Sequence, residues 1–134
     1  MQLHLLRATS CLSIYYDSSN NWLYLDWAGD LTLPAVQDAC VAVAQCYLTR
    51  TYLQVLNSHL QVTEIGSSIG TWLSAEFLPY MTLVGVEHIA WVSVPSLVGR
   101  NLAQTVVNRM PSLVLNLFDN AEEATVWLRQ TRSM

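Results

Sequence analysis

Residues 22 to 56 read WLYLDWAGDLTLPAVQDACVAVAQCYLTRTYLQVL, and the order of patterns within this stretch decides the fold. Trp22 to Trp27 mixes aromatic and aliphatic residues as a strand does. Ala28-Gly29-Asp30 breaks the run, Asp30 or Thr32 can cap a following helix, and Pro34 suits its first turn. From Ala35 to Thr49 the apolar residues, among them Val36, Ala39, Cys40, Val43 and Tyr47, recur at helical spacing. Tyr52 to Leu56 (YLQVL) then reads as a short buried strand. Strand, helix and strand in that order form a crossover unit, which places its two strands parallel in one sheet.

Ahead of Trp22, Leu12 to Asp17 (LSIYYD) is a second strand, and the turn formers Ser18-Ser19-Asn20-Asn21 make a β-hairpin of the pair. Downstream, the pattern turns polar at Asn57-Ser58-His59, which predicts a loop from Asn57 to Gly66. Ser67 or Ser68 can cap a second helix, with Ile69, Trp72, Leu73, Phe77 and Tyr80 along one side, and Pro79 must kink it. Gly85 ends that helix. His88 to Val94 is a strand, Pro95-Ser96 leads into a helix from Leu97 to Met110 stopped by Pro111, and Leu113 to Phe118 is the last strand. Asn120, with Glu123 three residues on, opens a final helix running to about Thr131. The predicted class is α/β: a single mixed sheet with an N-terminal antiparallel hairpin followed by parallel strands and crossover helices, in the order β-β-α-β-α-β-α-β-α, as one domain over residues 1–134.

Hydrophobic residues make up 52% of the 134, and charged residues only 12%, about half the usual charged share. So little charge leaves apolar surface on a monomer, and a homodimer is expected. The net charge is -4 and the six basic residues are arginines scattered along the chain, which argues against a nucleic-acid partner. The opening MQLHLLRATSCL lacks the parts of a secretory signal and no run is long enough to span a bilayer. A cytoplasmic protein without membrane insertion is expected. Cys11, Cys40 and Cys46 fit no disulfide framework and no zinc module, and read as small buried hydrophobes.

Catalytic and metal chemistry find little support. Ser58 and His59 are adjacent, but neighbours in extended chain point to opposite faces, and His4 and His88 lie elsewhere. There is no GxSxG elbow, and Gly66 to Gly70 (GSSIG) is better read as a helix start with an ordinary serine cap than as an anion loop. Asp26, Asp30 and Asp38 lack ligand spacing, and Glu64, Glu76 and Glu87 are isolated carboxylates. No catalytic residue, metal or cofactor is expected. Trp91 reads as core, whereas Trp22 and Trp27 flank the hairpin, where one exposed face would serve a protein partner.

The opening hairpin, YLQVLNSH (52–59), WLSAEFLPYMTLVGVEHIAWV (72–92) and FDNAEEATVWL (118–128) together resemble the STAS domains over nearly the whole chain. That family comprises anti-sigma-factor antagonists and transporter tails, with SpoIIAA-like relatives whose sheet is CRAL-TRIO-like. The resemblance implies a non-enzymatic protein-interaction or regulatory module. In the antagonists, a strand ends in an acidic residue followed by a phosphorylatable Ser or Thr at the mouth of the next helix. The matching passage is Leu56-Asn57-Ser58-His59, with Asn57 in the acidic position, so the resemblance puts the switch at Ser58. The candidate interaction or switch loop is therefore Asn57, Ser58, His59, Gln61, Glu64, Ser67 and Ser68. The alternative is a small-molecule or lipid-binding domain, with Trp72, Phe77 and Tyr80 lining an apolar pocket near the kinked helix 67–84, or packing in an interface.

Overall fold

The computed structural model describes residues 2–93, 97–109 and 114–132, with the backbone alone at 97–100. One six-stranded sheet follows the order of the chain: β1 (Leu3–Ala8), β2 (Leu12–Asp17), β3 (Trp22–Leu31), β4 (Gln54–Ile65), β5 (His88–Val92) and β6 (Val114–Phe118). β1, β2 and β3 pair antiparallel, and β3 to β6 pair parallel. The helices are α1 (Leu33–Cys46), α2 (Ile69–Trp72), a π-helical turn (Leu73–Phe77), α3 (Leu78–Leu83), α4 (Leu97–Arg109) and α5 (Ala121–Thr131). The fold is thus the α/β class that the crossover pattern predicts.

Crossovers that step the same way along a sheet, each right-handed, carry their helices to one face. In agreement, Val36 of α1, Ile69 of α2, Met81 of α3 and Val106 of α4 share a core with Leu25, Val55 and Ile89 of the sheet. The other face carries a smaller core, in which Ala124 and Leu128 of α5 cover Trp22, Leu56, Ala90 and Val92. Strand order never reverses, so the sheet has no switch-point crevice of the doubly wound kind.

The hairpin forms as predicted: Asp17 Oδ1 accepts the backbone N–H groups of Ser19 and Asn20, and Asn21 takes the left-handed φ of 57° that Asn tolerates. Thr32 and Asn120 cap α1 and α5, with Asn120 Oδ1 accepting the Glu123 N–H at 2.9 Å. Pro79 lies in the first turn of α3, and the expected kink takes the form of the π turn, in which the Leu78 N–H reaches back to the Leu73 carbonyl. The widened turn accommodates a residue with no N–H to donate. Gly85 ends the helix at a φ of +109°, where a Cβ would also lie 3.0 Å from Thr51 Cγ2. All three cysteines are buried and free, and burial pushes each thiol pKa up.

Four expectations need correction. First, β1 precedes the hairpin; each of its residues is exposed, and the alternation of Leu3, His4 and Leu5 stops where the register shifts between Leu5 and Arg7, too short a run to advertise the strand. Second, Asn57 to Ile65 is strand rather than loop, because β3 runs on to Leu31 and pairs Ala28 with Gln61 and Leu31 with Ile65. Third, Trp22 and Trp27 are buried rather than offered to a partner, at 0% and 3% exposure. Fourth, Ser68 stands at the start of α2 but makes no side-chain capping bond; the Ile69 N–H bonds to the Gly66 carbonyl instead. Predicted boundaries at Val94, Pro95, Ser96, Met110, Pro111 and Leu113 lie outside the described residues.

Candidate functional site

β4 is the strand on which the candidate residues stand, and its alternation sorts them. Val55, Asn57 and His59 face the larger core, while Leu56 and Ser58 face α5. Ser58 and His59 therefore point apart, as their adjacency requires, and no nucleophile pair forms. Ser58 is buried; its hydroxyl accepts the Leu60 N–H at 3.4 Å. Folded β4 keeps that hydroxyl away from a modifying enzyme.

Asn57 and His59 make a polar seam inside the apolar core. Trp27 Nε1 donates to Asn57 Oδ1 at 2.7 Å. The His59 ring lies between two indoles, 5.9 Å from the Trp27 centroid and 4.8 Å from that of Trp91. Removal from water holds its pKa down at about 3, so the imidazole is neutral. The buried Trp91 Nε1 has no hydrogen-bond partner among the described residues. Trp91 itself is core, as expected. The space between these residues and the kinked helix is about 20 Å³, room for about one water molecule. A pocket for a drug-sized ligand takes about 300–1,000 Å³. Phe77 is buried, and Trp72 and Tyr80 are half-buried against the same core, so these aromatics pack the helix onto the sheet.

The exposed candidates gather further along. Beyond Ser58, β4 pairs only with β3 among the described strands, and Gln61, Thr63 and Glu64 are exposed there. Ser67 and Ser68 follow in the turn before α2, both exposed. Ser67 lines a cleft of about 370 Å³ between Gly66–Thr71 and α4, whose wall carries Asn101, Thr105 and Arg109. These three recur four residues apart and so share one helix face. That spacing is legible in the sequence, but only packing reveals that the face looks at Ser67. Gly70 permits the approach: a Cβ there would lie 3.0 Å from Leu102 Cδ1 on α4. Among the described residues no group of three His, Cys, Asp or Glu side chains could hold a metal ion. No described helix is long and apolar enough to cross a membrane.

Neither a family model nor a curated protein matches the sequence. Solved structures do share its fold. The anti-sigma factor antagonist SpoIIAA, in its unphosphorylated form, gives a TM-score of 0.61 at 15% identity, covering 99% of this chain and 98% of that one. An uncharacterized protein of the DUF3478 family from Shewanella loihica, with a SpoIIAA-like fold, gives 0.62 at 14% identity over 92% of this chain and 98% of that one. SiaC of Pseudomonas aeruginosa gives 0.50 at 13% identity over 90% and 99%. The chain has the STAS/SpoIIAA-like fold.

Proposed function

We propose that this protein is a non-enzymatic, cytoplasmic regulatory module that binds a protein partner through the exposed rim formed by Gln61, Glu64, Ser67, Ser68 and Thr71. One observation carries the reading. At the mouth of the helix that follows the central strand stand two exposed serines, Ser68 makes no capping bond, and Ser67 shares its cleft with Arg109. A strand followed by a serine at a helix mouth is the arrangement in which the antagonist family places its switch. In this chain β4 ends at Ile65 rather than at Leu56, so the position at the helix mouth falls to Ser67 and Ser68 instead of Ser58. SpoIIAA, an anti-sigma factor antagonist with an unphosphorylated form, supports the same reading through the shared fold. A phosphate at Ser67 would add about two negative charges beside Arg109 and change the rim's charge without altering the fold.

The test is quantitative capture of the host partner by purified variants. Ser67→Asp and Ser68→Asp are expected to alter capture by about tenfold, on the order of one charge-assisted contact, while the Ala variants behave as the unmodified protein. Equal capture by Asp and Ala variants refutes the switch. Unchanged capture after Gln61, Glu64 and Thr71 are all replaced by Ala refutes the surface.

The module is also proposed to act as a homodimer. α5 packs on β4, β5 and β6 and reaches only Trp22 and Tyr24 of β3 among the first three strands, which leaves β1, β2 and the rest of β3 on that face without a described helix. Register places Leu3, Leu5, Tyr15 and Tyr24 on that face, with Leu5 58% exposed and the two tyrosine rings stacked at 5.8 Å. Two such faces can pack as sheets do. Light scattering at tens of micromolar, on the order of ordinary assay concentrations, should give a dimer that Leu5→Glu converts to monomer. A monomer without the substitution removes the proposal.

A further inference from the structure

At the end of the sheet where β4, β5 and β6 begin, away from Ser67, a cleft of about 570 Å³ opens beside the last residues of α5. Arg50 and Arg132 both line it. Arg50 lies over the rings of Tyr16 and Tyr52, its guanidinium carbon 4.3 and 5.0 Å from their centroids. Its Nη2 donates to Tyr16 Oη at 3.0 Å and to Asn21 Oδ1 at 2.7 Å. Arg132 donates from Nε to Gln54 Oε1 at 3.2 Å and sits 5.4 Å from the Trp22 ring centroid. Gln54 is buried and itself fixed, donating from Nε2 to the Leu128 carbonyl at 2.7 Å and to Thr131 Oγ1 at 2.8 Å.

Both guanidinium groups are thus steadied by rings and neutral oxygens. The chain has ten acidic residues to six arginines, so carboxylate partners were available to evolution in excess. Holding two arginines on neutral partners at one cleft leaves their charge uncancelled by those bonds. It also leaves donors in place: Nε and Nη1 of Arg50, and both terminal nitrogens of Arg132, make none of these bonds. A guanidinium presents such donors in a planar fork that matches an oxyanion. The cleft also has an apolar side, since Leu53 and Val114 are each half exposed. Among the described residues its single lining carboxylate belongs to Glu87.

We propose that this cleft binds a small organic phosphate, with the phosphate held by Arg50 and Arg132 and the organic part resting on Leu53 and Val114. Two cations match a phosphate monoester, which carries nearly two negative charges at neutral pH, better than they match a single carboxylate. Glu87 opposes the ligand and limits its affinity. The site is separate from the rim around Ser67, and its existence does not depend on the partner proposed there.

The experiment titrates phenyl phosphate, inorganic phosphate and benzoate into isotopically labelled full-length protein and follows backbone amide shifts. Phenyl phosphate should give saturable shifts at Thr51, Gln54, Glu87 and His88, with benzoate about tenfold or more weaker and inorganic phosphate between them. Arg50→Met and Arg132→Met should each weaken phenyl phosphate by about tenfold or more, and Glu87→Gln should tighten it several-fold. The Glu87 variant guards against loss of structure, because misfolding cannot raise affinity. No saturable shift at these residues, benzoate binding as tightly as phenyl phosphate, or affinity unmoved by all three substitutions would each overturn the proposal.

Discussion

Trp27→Ala will lower the unfolding free energy by about 3–5 kcal/mol, the range for emptying a buried aromatic site. Trp27 is 3% exposed within the larger core and lies against His59. Its removal also strips Asn57 Oδ1 of the N–H that reaches it at 2.7 Å. A buried carbonyl left without a donor adds about 1–3 kcal/mol to the cost. Domains of this size are stable by about 5–15 kcal/mol, so the variant will sit close to its unfolding midpoint at ordinary temperatures. Trp27→Phe separates the two contributions, because it keeps an aromatic ring and removes the donor, and a loss of about 1–3 kcal/mol is expected. Adding Asn57→Leu to Trp27→Phe should recover part of that loss, since no orphaned carbonyl then remains. Urea unfolding of the four proteins measures all of this. A Trp27→Phe variant as stable as the parent would show that the indole-amide bond contributes nothing.

Acid will destabilise the protein through His59, and a variant without that imidazole will resist it. The ring is neutral in the folded protein because burial holds its pKa at about 3, against 6.5 for an imidazole in water. Between those values the unfolded chain binds a proton that the folded chain refuses. Stability therefore rises with pH across this window. The contribution is fully present above pH 6.5 and is lost as pH falls below it, by up to about 1.4 kcal/mol per pH unit. It levels off near pH 3. Asp26 acts in the opposite sense, since burial raises its pKa and its protonation favours the folded state. Subtracting the stability profile of His59→Phe, which retains Asp26, isolates the histidine. The stability of His59→Phe minus that of the parent should grow steadily from pH 6.5 to pH 4.5. A difference independent of pH would mean that the ring takes up its proton without leaving the core.

What was legible in the sequence depended on whether a residue's neighbours in space were implied by its neighbours in the chain. The crossover from Trp22 to Leu56 was legible, because the period of α1 and the branched residues of β4 are local signals. So was the cap at Asn120, which involves one helical turn. The second half of β4 was not. Asn57, Ser58 and His59 look like loop residues until Trp27, Leu60 and Trp91 are known to surround them. β1 was missed for the reverse reason: each of its residues is exposed, and Leu3, Leu5 and Leu6 read as a short apolar lead. Of the candidate site residues, the packed structure buries Asn57, Ser58 and His59 and exposes Gln61, Glu64, Ser67 and Ser68. Arg109 comes to line a cleft with Ser67, and Arg50 to line one with Arg132, only through the packing of distant parts of the chain.

The sequential strand order also governs how the chain can reach this state. Every strand pairs with the strand made just before it, so each closure spans only one connection and costs little chain entropy. The sheet can consequently grow in the order of synthesis, from the N-terminal meander through β6, without waiting for a distant partner. α5 is the exception. It leaves the ribosome after every strand of the sheet, yet it covers Trp22, Leu56 and Ala90. A nascent chain that has built its whole sheet still shows that apolar strip to its surroundings, and the strip closes only when Ala124 and Leu128 arrive.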